Sequence, residues 1–467
     1  MFSETFIYAI VFFGWFVFVI FKTRTAVMIL PLFFPLYLLR FEVFDTPVYF
    51  IEGLIMIAAL PVFIRILIGE EVVKKSFVSR FIAILRSYLV PKKNAFLDFI
   101  KSSFFPITLF MFACIISATI VPDENYLRAL GILKSWIIVP LVFFMIYYYS
   151  VKSLKDVSTA TWAYIASSVA LGVWALYQAL SGNYITIDQR VSGPFESANY
   201  LALYITPALV FGTVRLIQSF LHKKVETAHY RWNVNEKKVF YGAASILLFA
   251  VLILTQSYGG IIGFFAVVFA YVVFERIRAV MSVNKKLLNK LIGFVALFLL
   301  VVGTLTVTLN TEKFQNLFEL EEHTSFATRI EIWQVGKELI KENPILGTGL
   351  GQFENLYSDR AARLLGREPL EVKRLHSHNI FMEFWLNSGL LGLISFIWVV
   401  VLAYVYMAKS LSSEKKKLAI AAAAMLTYVI IHGIIDVPFW KNDLALVFWL
   451  IVGTIFAVPK IKEEDAL

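Results

Sequence analysis

The stretch HSHNIFMEFWLNSGLLG, residues 376–392, sets two histidines directly before an apolar run that continues to Met407. Histidine takes or releases a proton near neutral pH, so His378 is a candidate general base. Asn379, Glu383 and Asn387 follow at four-residue spacing and share one helix face. Polar side chains are costly in a membrane-spanning helix, so this stripe must face a cavity or neighbouring helices. His432 and Asp436 repeat the spacing at the end of the next apolar run and are candidate supports for the same cavity. Two arginines offer complementary charge. Arg190 stands in DQRVSGPFESANY, a short loop between apolar runs, with Ser197 and Asn199 as nearby hydrogen-bond donors. Arg329 follows Thr328 at the expected start of a helix, where unpaired N–H groups and a partial positive charge favour an anion. Plainer roles stand beside these: Arg190 paired with Asp188, Arg329 merely solvated, and the polar stripe a hydrogen-bonded network between helices. Proton transfer next to an anion site is the chemistry these residue types allow. His376 and His378 form a His-x-His pair without an evident third ligand, so no metal is expected.

The elements that position these residues must be read against lipid. Of 467 residues, 59% are hydrophobic and only 16% charged, with a mean hydropathy of +0.74; soluble domains are nearer a quarter charged. Apolar runs near 4–21, 25–40, 48–69, 102–120, 129–149, 158–180, 199–218, 239–255, 259–275, 291–309, 379–408, 418–434 and 443–459 are long enough to approach or cross a bilayer. The run at 25–40 is short and holds Pro31 and Pro35, so twelve or thirteen spans are both admissible. The fold class is an all-α polytopic transmembrane bundle with one large extracytoplasmic insertion before the third-last span. It divides into N-terminal spanning helices over 1–309, a mostly helical insertion over 310–378, C-terminal spanning helices over 379–459 and a tail over 460–467. The formal charge of +10 does not point to nucleic acid, because the basic residues cluster in alternate short loops as the positive-inside rule requires. That bias places 70–101, 219–238, 276–290, 409–417 and the C-terminal tail in the cytoplasm. Loops 121–128, 181–198, 310–378 and 435–442 then face outside. The N-terminus is external if all thirteen spans are real. Segment 71–100 alternates basic and apolar residues and suits the inner membrane surface. The opening residues lack a basic leader and a cleavage site and read as a first span.

Within the insertion, TRIEIWQVGKELIKENP predicts an amphipathic helix, with Thr328 and Glu331 as a capping box and Asn343-Pro344 as the stop. ENLYSDRAARLLG predicts a second helix. Arg360, Arg363 and Arg367 fall at helical spacing there and could meet an anionic polymer or simply be solvated. The glycines of GTGLGQF lack the strand–turn–helix setting of a dinucleotide fingerprint, and no Walker lysine follows, so no cofactor is expected. The sole cysteine, Cys114, lies in an apolar run and reads as a small core residue; it leaves no intrachain disulfide.

Taken together, the Arg190 loop, the Thr328, Arg329 and Trp333 cluster, NPILGTGLGQF and HSHNIFMEFWLNSGLLG resemble the O-antigen ligase/polymerase superfamily of bacterial membranes. His378-Asn379, nine residues, then Gly389 and Gly392 fit the ligase pattern; His376-Ser377 does not, because Asn387 stands where glycine is required. Ser257-Tyr258 departs from the Ser-Arg of many members. The resemblance implies transfer of a glycan from a polyprenyl (undecaprenyl) pyrophosphate to an acceptor hydroxyl outside the cytoplasmic membrane, without metal or nucleotide sugar. The partners would be a lipid-linked oligosaccharide or polysaccharide donor and a glycan, lipid or protein acceptor. It further implies that Arg190 and Arg329 hold the pyrophosphate and that His378 takes the acceptor's proton. Asn379, Glu383, Ser197, Asn199, Arg360 and Arg363 would bind substrate, with His432, Asp436, His376 and Trp333 in support. The alternative class is a transporter or flippase of lipid-linked saccharides. Ion-coupled transport predicts acidic residues near the bilayer midplane, whereas here acidic and histidine residues gather at the ends of spans. A sensor or scaffold would need no histidine–arginine set.

Overall fold

The computed structural model describes residues 4–43, 46–68, 102–186, 188–221, 234–279, 325–370, 375–411 and 415–462. The expected span at 291–309, the surface segment 71–100, the start of the insertion at 310–324 and most of the basic loops lie outside the described residues.

The chain opens with a hairpin of apolar segments. Helix α1 (Glu4–Ile29) breaks its helical geometry at Lys22 and passes into a 3₁₀ helix, Leu30–Leu38. The rings of Trp15 and Phe33 lie 5.8 Å apart; an unbroken α-helix would separate them by about 27 Å, so the chain reverses at Lys22. The second arm contains Pro31 and Pro35, which remove two backbone donors. Its 3₁₀ rise lets residues 23–38 extend roughly 28 Å, close to the ~30 Å of a hydrocarbon core. The run at 25–40 is therefore an arm of its own, not an ordinary α-helix. A two-stranded antiparallel hairpin follows, β1 (Arg40–Val43) and β2 (Thr46–Tyr49), the only strands among the described residues.

The remaining helices are α2 (Phe50–Ile68), α3 (Phe105–Thr119), α4 (Asp123–Ile132), α5 (Val139–Ser150), α6 (Leu154–Ser181), α7 (Ala198–Leu221), α8 (Val234–Leu254), α9 (Tyr258–Ala279), α10 (Ser325–Glu342), α11 (Phe353–Leu365), α12 (Ile380–Lys409), α13 (Lys416–His432) and α14 (Asn442–Ala457). Seven segments among the described residues are long and apolar enough to cross a membrane, and Phe105–Thr119 and Lys238–Leu254 are shorter apolar helices. Helix α14 is apolar on all sides and buried along its length, as expected for a helix in the middle of a bundle. It packs against α5, α12 and α13.

Polar contacts sort the loops onto two ends. Arg24 pairs with Asp156, Ser103 meets Tyr406 and Gln218 bonds the Lys417 carbonyl, which gathers the turns near 22, 103, 153, 218 and 410–417 at one end. At the other, Lys441 reaches Tyr37, Lys134 bonds the Pro47 carbonyl, Arg190 meets Thr255 and Arg329 meets Ile435. The candidate chemistry and the insertion share this second end.

The insertion is anchored to α12 at a break in that helix. Gly389 has φ 66°, ψ −174°, a conformation essentially confined to glycine. The opened backbone is satisfied by NPILGTG: Leu390 N–H donates to the Ile345 carbonyl (2.9 Å) and Thr348 N–H to the Leu386 carbonyl (2.8 Å). A Cβ at Gly389 would lie 2.3 Å from the Ile345 oxygen, and one at Gly347 (φ 74°) would lie 2.4 Å from the Leu386 oxygen. The two glycine motifs are the two halves of one backbone junction.

Candidate functional site

The histidine loop is held from three directions. Asn379 caps α12, its Oδ1 accepting from the N–H groups of Phe381 and Met382 (both 3.0 Å). Its Nδ2 donates to the Ile434 carbonyl (2.9 Å). Glu383, buried in the first turns, accepts from Ser377 N–H (2.6 Å) and from Asn387 Nδ2 (2.8 Å). Asn387 Oδ1 in turn accepts from Gly351 N–H (2.7 Å). The polar stripe thus ties the histidine loop and the glycine loop to one helix face. Asn379 and Glu383, expected to bind substrate, make these contacts to the scaffold.

That scaffold places His378 at φ 51° on the wall of a cavity of about 220 Å³, lined by Glu196, Ser197, Asn199, Tyr200, Leu375, His376, His378 and Asp436. His378 Nδ1 lies 3.3 Å from Asp436 Oδ1, with side chains 14% and 3% exposed. The His376 and His378 rings pack edge to face at 4.5 Å, and His376 Nε2 bonds Tyr200 Oη at 3.0 Å. Burial alone would raise the Asp436 carboxyl, yet the hydrogen bond from His378 and the neighbouring histidines His378, His432 and His376 hold it well below the usual carboxylate range. Asp436 is therefore an ionised partner for His378. It also supplies the third ligand-type side chain that the His-x-His pair lacked in sequence: His376, His378 and Asp436 offer ligand atoms within 4.8 Å of one another.

Arg190 sits in a loop fixed by Gln178, whose Oε1 accepts from Ser192 N–H (3.2 Å) and Gly193 N–H (2.8 Å). Its Nε pairs with Asp188 at 2.5 Å, and one terminal nitrogen donates to Asn199 Oδ1 and to the Thr255 carbonyl, both at 3.4 Å. Arg329 donates from Nε to the Ile435 carbonyl at 3.0 Å, next to Asp436 in sequence. Each arginine is bonded to a residue on or next to the cavity wall.

One expectation is corrected, the start of α10, and the other expected residues are placed as follows. Helix α10 begins at Ser325, so Arg329 lies inside the helix and Thr328 is not its cap. Glu331 pairs instead with Arg367 and accepts from Leu370 N–H (3.1 Å), closing the loop after α11. Arg360 pairs with Glu342 at 2.7 Å and Arg363 is exposed on the same outer helix; neither lines the cavity. Trp333 packs against a small core that the insertion shares with α12, formed by Ile332, Val335, Phe353, Tyr357 and Leu386. His432 is buried, bonding Tyr428 Oη at 2.7 Å. The sequence reasoning missed Glu196 and Tyr200 in the lining. It also missed Lys441, whose ammonium sits 4.2 Å from the Tyr200 ring centroid behind the wall. Glu196 was findable, since it adjoins Ser197 in the same short loop.

Residues 243–397 match the O-antigen ligase family. The matched O-antigen ligase segment contains Arg329, the glycine loop, His378 and the helix break at Gly389, but not Arg190. Relatives extend the likeness. An uncharacterized protein of Haemophilus influenzae is 25% identical over 223 residues, 44% of this chain and 53% of that protein. The exopolysaccharide production protein ExoQ of Rhizobium meliloti is 24% identical over 275 residues, 56% of this chain and 57% of its own length. RC0486 of Rickettsia conorii, whose name places it among polysaccharide ligases, is 30% identical over 136 residues, 29% and 31% of the two chains. The chain thus spans about half the length of the first two relatives and a third of the last.

Proposed function

We propose that the protein transfers a glycan from a polyprenyl pyrophosphate to an acceptor hydroxyl on the outer face of a bacterial cytoplasmic membrane, in the polymerisation or ligation of a surface polysaccharide. The observation that carries this is the meeting of a carboxylate-backed histidine, His378, with Ser197 and Asn199 in one cavity at the end of the bundle. Arg190 and Arg329 are tied to its surroundings. The family match and the names of the relatives support the substrate class. The charge bias supports the orientation, since Lys22, Arg24, Lys152, Lys155 and Lys415–Lys417 lie at the opposite end.

On this reading each residue has a role. With Nδ1–H given to Asp436, His378 keeps its lone pair on Nε2, where it can accept a proton. The acceptor oxygen bonds to the anomeric carbon as the bond from that carbon to the pyrophosphate oxygen breaks. The electron pair leaves on the phosphate, and the acceptor's proton passes to Nε2. A single displacement inverts the anomeric centre. Charge builds on the departing polyprenyl pyrophosphate, and planar guanidinium forks suit its oxygens. Arg190 would meet it either by exchanging its present partner, Asp188, or with Asp188 still holding Nε.

The test uses purified protein in detergent with a lipid-pyrophosphate oligosaccharide and an acceptor. Extended or ligated product with inverted anomeric configuration is expected. Movement of the lipid-linked sugar between leaflets of proteoliposomes, without any new glycosidic bond, would replace this assignment with the flippase class.

A further inference from the structure

We infer that His376, His378 and Asp436 form a binding site for a divalent transition-metal ion of the zinc class, and that occupation of this site switches the transferase off. The binding stands on geometry alone; the inhibition rests on His378 acting as the proton acceptor.

Three features support binding. First, the trio places one ligand atom per residue within 4.8 Å of the others. The 3.3 Å between His378 Nδ1 and Asp436 Oδ1 is long for a hydrogen bond. It equals the edge of a tetrahedron whose metal–ligand bonds are about 2.0 Å, roughly 3.3 Å. Second, the outer partner needed for such a histidine is present. A metal-bound imidazole gives its other ring N–H to an oxygen, and His376 Nε2 already lies 3.0 Å from Tyr200 Oη; His376 Nδ1 would then be the ligand. Third, Asp436 stands on the cavity wall as an acidic ligand, with a second carboxylate, Glu196, in the same lining. Two imidazoles and one carboxylate suit zinc, cobalt or nickel better than magnesium or calcium, which prefer oxygen. The fourth position would open to the cavity.

The consequence for chemistry follows from the imidazole itself. A metal on His378 Nδ1 forces the remaining proton of the neutral ring onto Nε2. The nitrogen that would accept the acceptor's proton then already holds one. The metal also removes the ionised Asp436 as the partner that orients the ring.

The experiment is a titration of the full-length, metal-free protein in detergent with Co²⁺, followed by the visible absorption of tetrahedral cobalt, and with Zn²⁺ by calorimetry. One equivalent is expected to bind. His376→Ala and the nearly isosteric Asp436→Asn should each weaken binding at least about 10-fold. The ratio of transfer with and without one equivalent of zinc should be far below one for the native chain and near one for His376→Ala, whatever that variant's basal rate. Absence of stoichiometric binding, or binding that both substitutions leave intact, would overturn the site. Stoichiometric binding with undiminished transfer would overturn the inhibition. A metal-free protein that binds cobalt as expected but makes no product with any lipid-linked donor would instead fail the transferase assignment and leave the site standing.

Discussion

On the histidine side of the cavity, the polar side chains of Asn379, Glu383 and Asn387 all serve the scaffold: Asn379 caps α12 and reaches Ile434, Glu383 holds Ser377, and Asn387 holds Gly351. On the arginine side the reactive groups have partners of their own. Arg190 is paired with Asp188, and Arg329 donates to a backbone carbonyl. The first half is organised before substrate arrives, whereas in the second each guanidinium would keep or exchange its present contacts on meeting a ligand. A general base has to be aimed within a few tenths of an ångström, and rigid support provides this. An anion site for a long, flexible lipid can tolerate exchange of partners.

The largest effect should therefore come from the organised half. His378→Ala is expected to lower transfer by about 10²–10⁴-fold, with the protein still extracted as a monodisperse species. His376→Ala should keep most of its activity, since the hydrogen bond to Asp436 that would set the base's tautomer is made by His378, while the His376 ring bonds Tyr200 and packs against His378. Equal losses in a product assay would mean that the two histidines act as a unit and that His378 has no special place.

Much of this half was legible in the sequence, because a polar stripe at four-residue spacing in an apolar helix has few physical outlets. What could not be read was the direction of each side chain. Glu383 and Asn387 look equally suited to a ligand or to a neighbouring loop, and the choice was settled by Gly351 and Ser377, far or irregular in sequence. The break at Gly389 was hidden for a similar reason: the glycine pattern was visible, but its partner, the carbonyl of Ile345, lies across a loop. Asp436 was read only as support for the cavity, because its distance to His378 depends on how α12 and α13 meet. Arg329 was misplaced by one helical turn because Thr328 and Glu331 imitate a capping box, while Glu331 is bound to Arg367 instead.

On the arginine side, lysine keeps the charge and loses the fork. Losing one charged hydrogen bond costs about 1.5–3 kcal/mol, or roughly 10- to 150-fold. Arg329→Lys and Arg190→Lys are each expected to fall in that range in kcat/KM and to weaken capture of the lipid pyrophosphate. The double variant should lose less than the product of the two, because groups holding one ligand are not additive. Strict multiplication would place the two guanidinium groups on separate ligands. A fully active Arg190→Lys protein would confine the anion site to the Arg329 side.

Gly389→Ala probes the junction beneath the histidine side. Its backbone conformation is strained for any side chain, at a cost of order 1–3 kcal/mol, and the added Cβ would meet the Ile345 oxygen at 2.3 Å. A lower unfolding temperature in detergent is expected, with activity falling in proportion to the folded fraction. The outer helices α10 and α11 should become more open to protease first, since Leu390 and Leu386 hold their connecting loop. Unchanged thermal stability would mean that the loop does not depend on the helix break.

The smallest effect, and the most direct test of partner exchange, belongs to Asp188. Its side chain is 46% exposed while that of Arg190 is 18% exposed, so the pair is screened on one side and is worth about 0–1 kcal/mol. If Arg190 must leave Asp188 to reach the pyrophosphate, that contact is a tax on donor binding. Asp188→Asn removes the charge while keeping a side chain of the same shape, and the loop retains its anchors at Gln178 and Thr186. The KM for the lipid-linked donor is then expected to fall by up to about 5-fold, the equivalent of ~1 kcal/mol, with kcat little changed. The alternative has the opposite sign. If Asp188 aims the guanidinium at the cavity and stays in place during transfer, the asparagine variant loses orientation, and KM rises instead. A rise in KM would make the arginine side as organised as the histidine side and erase the contrast between them.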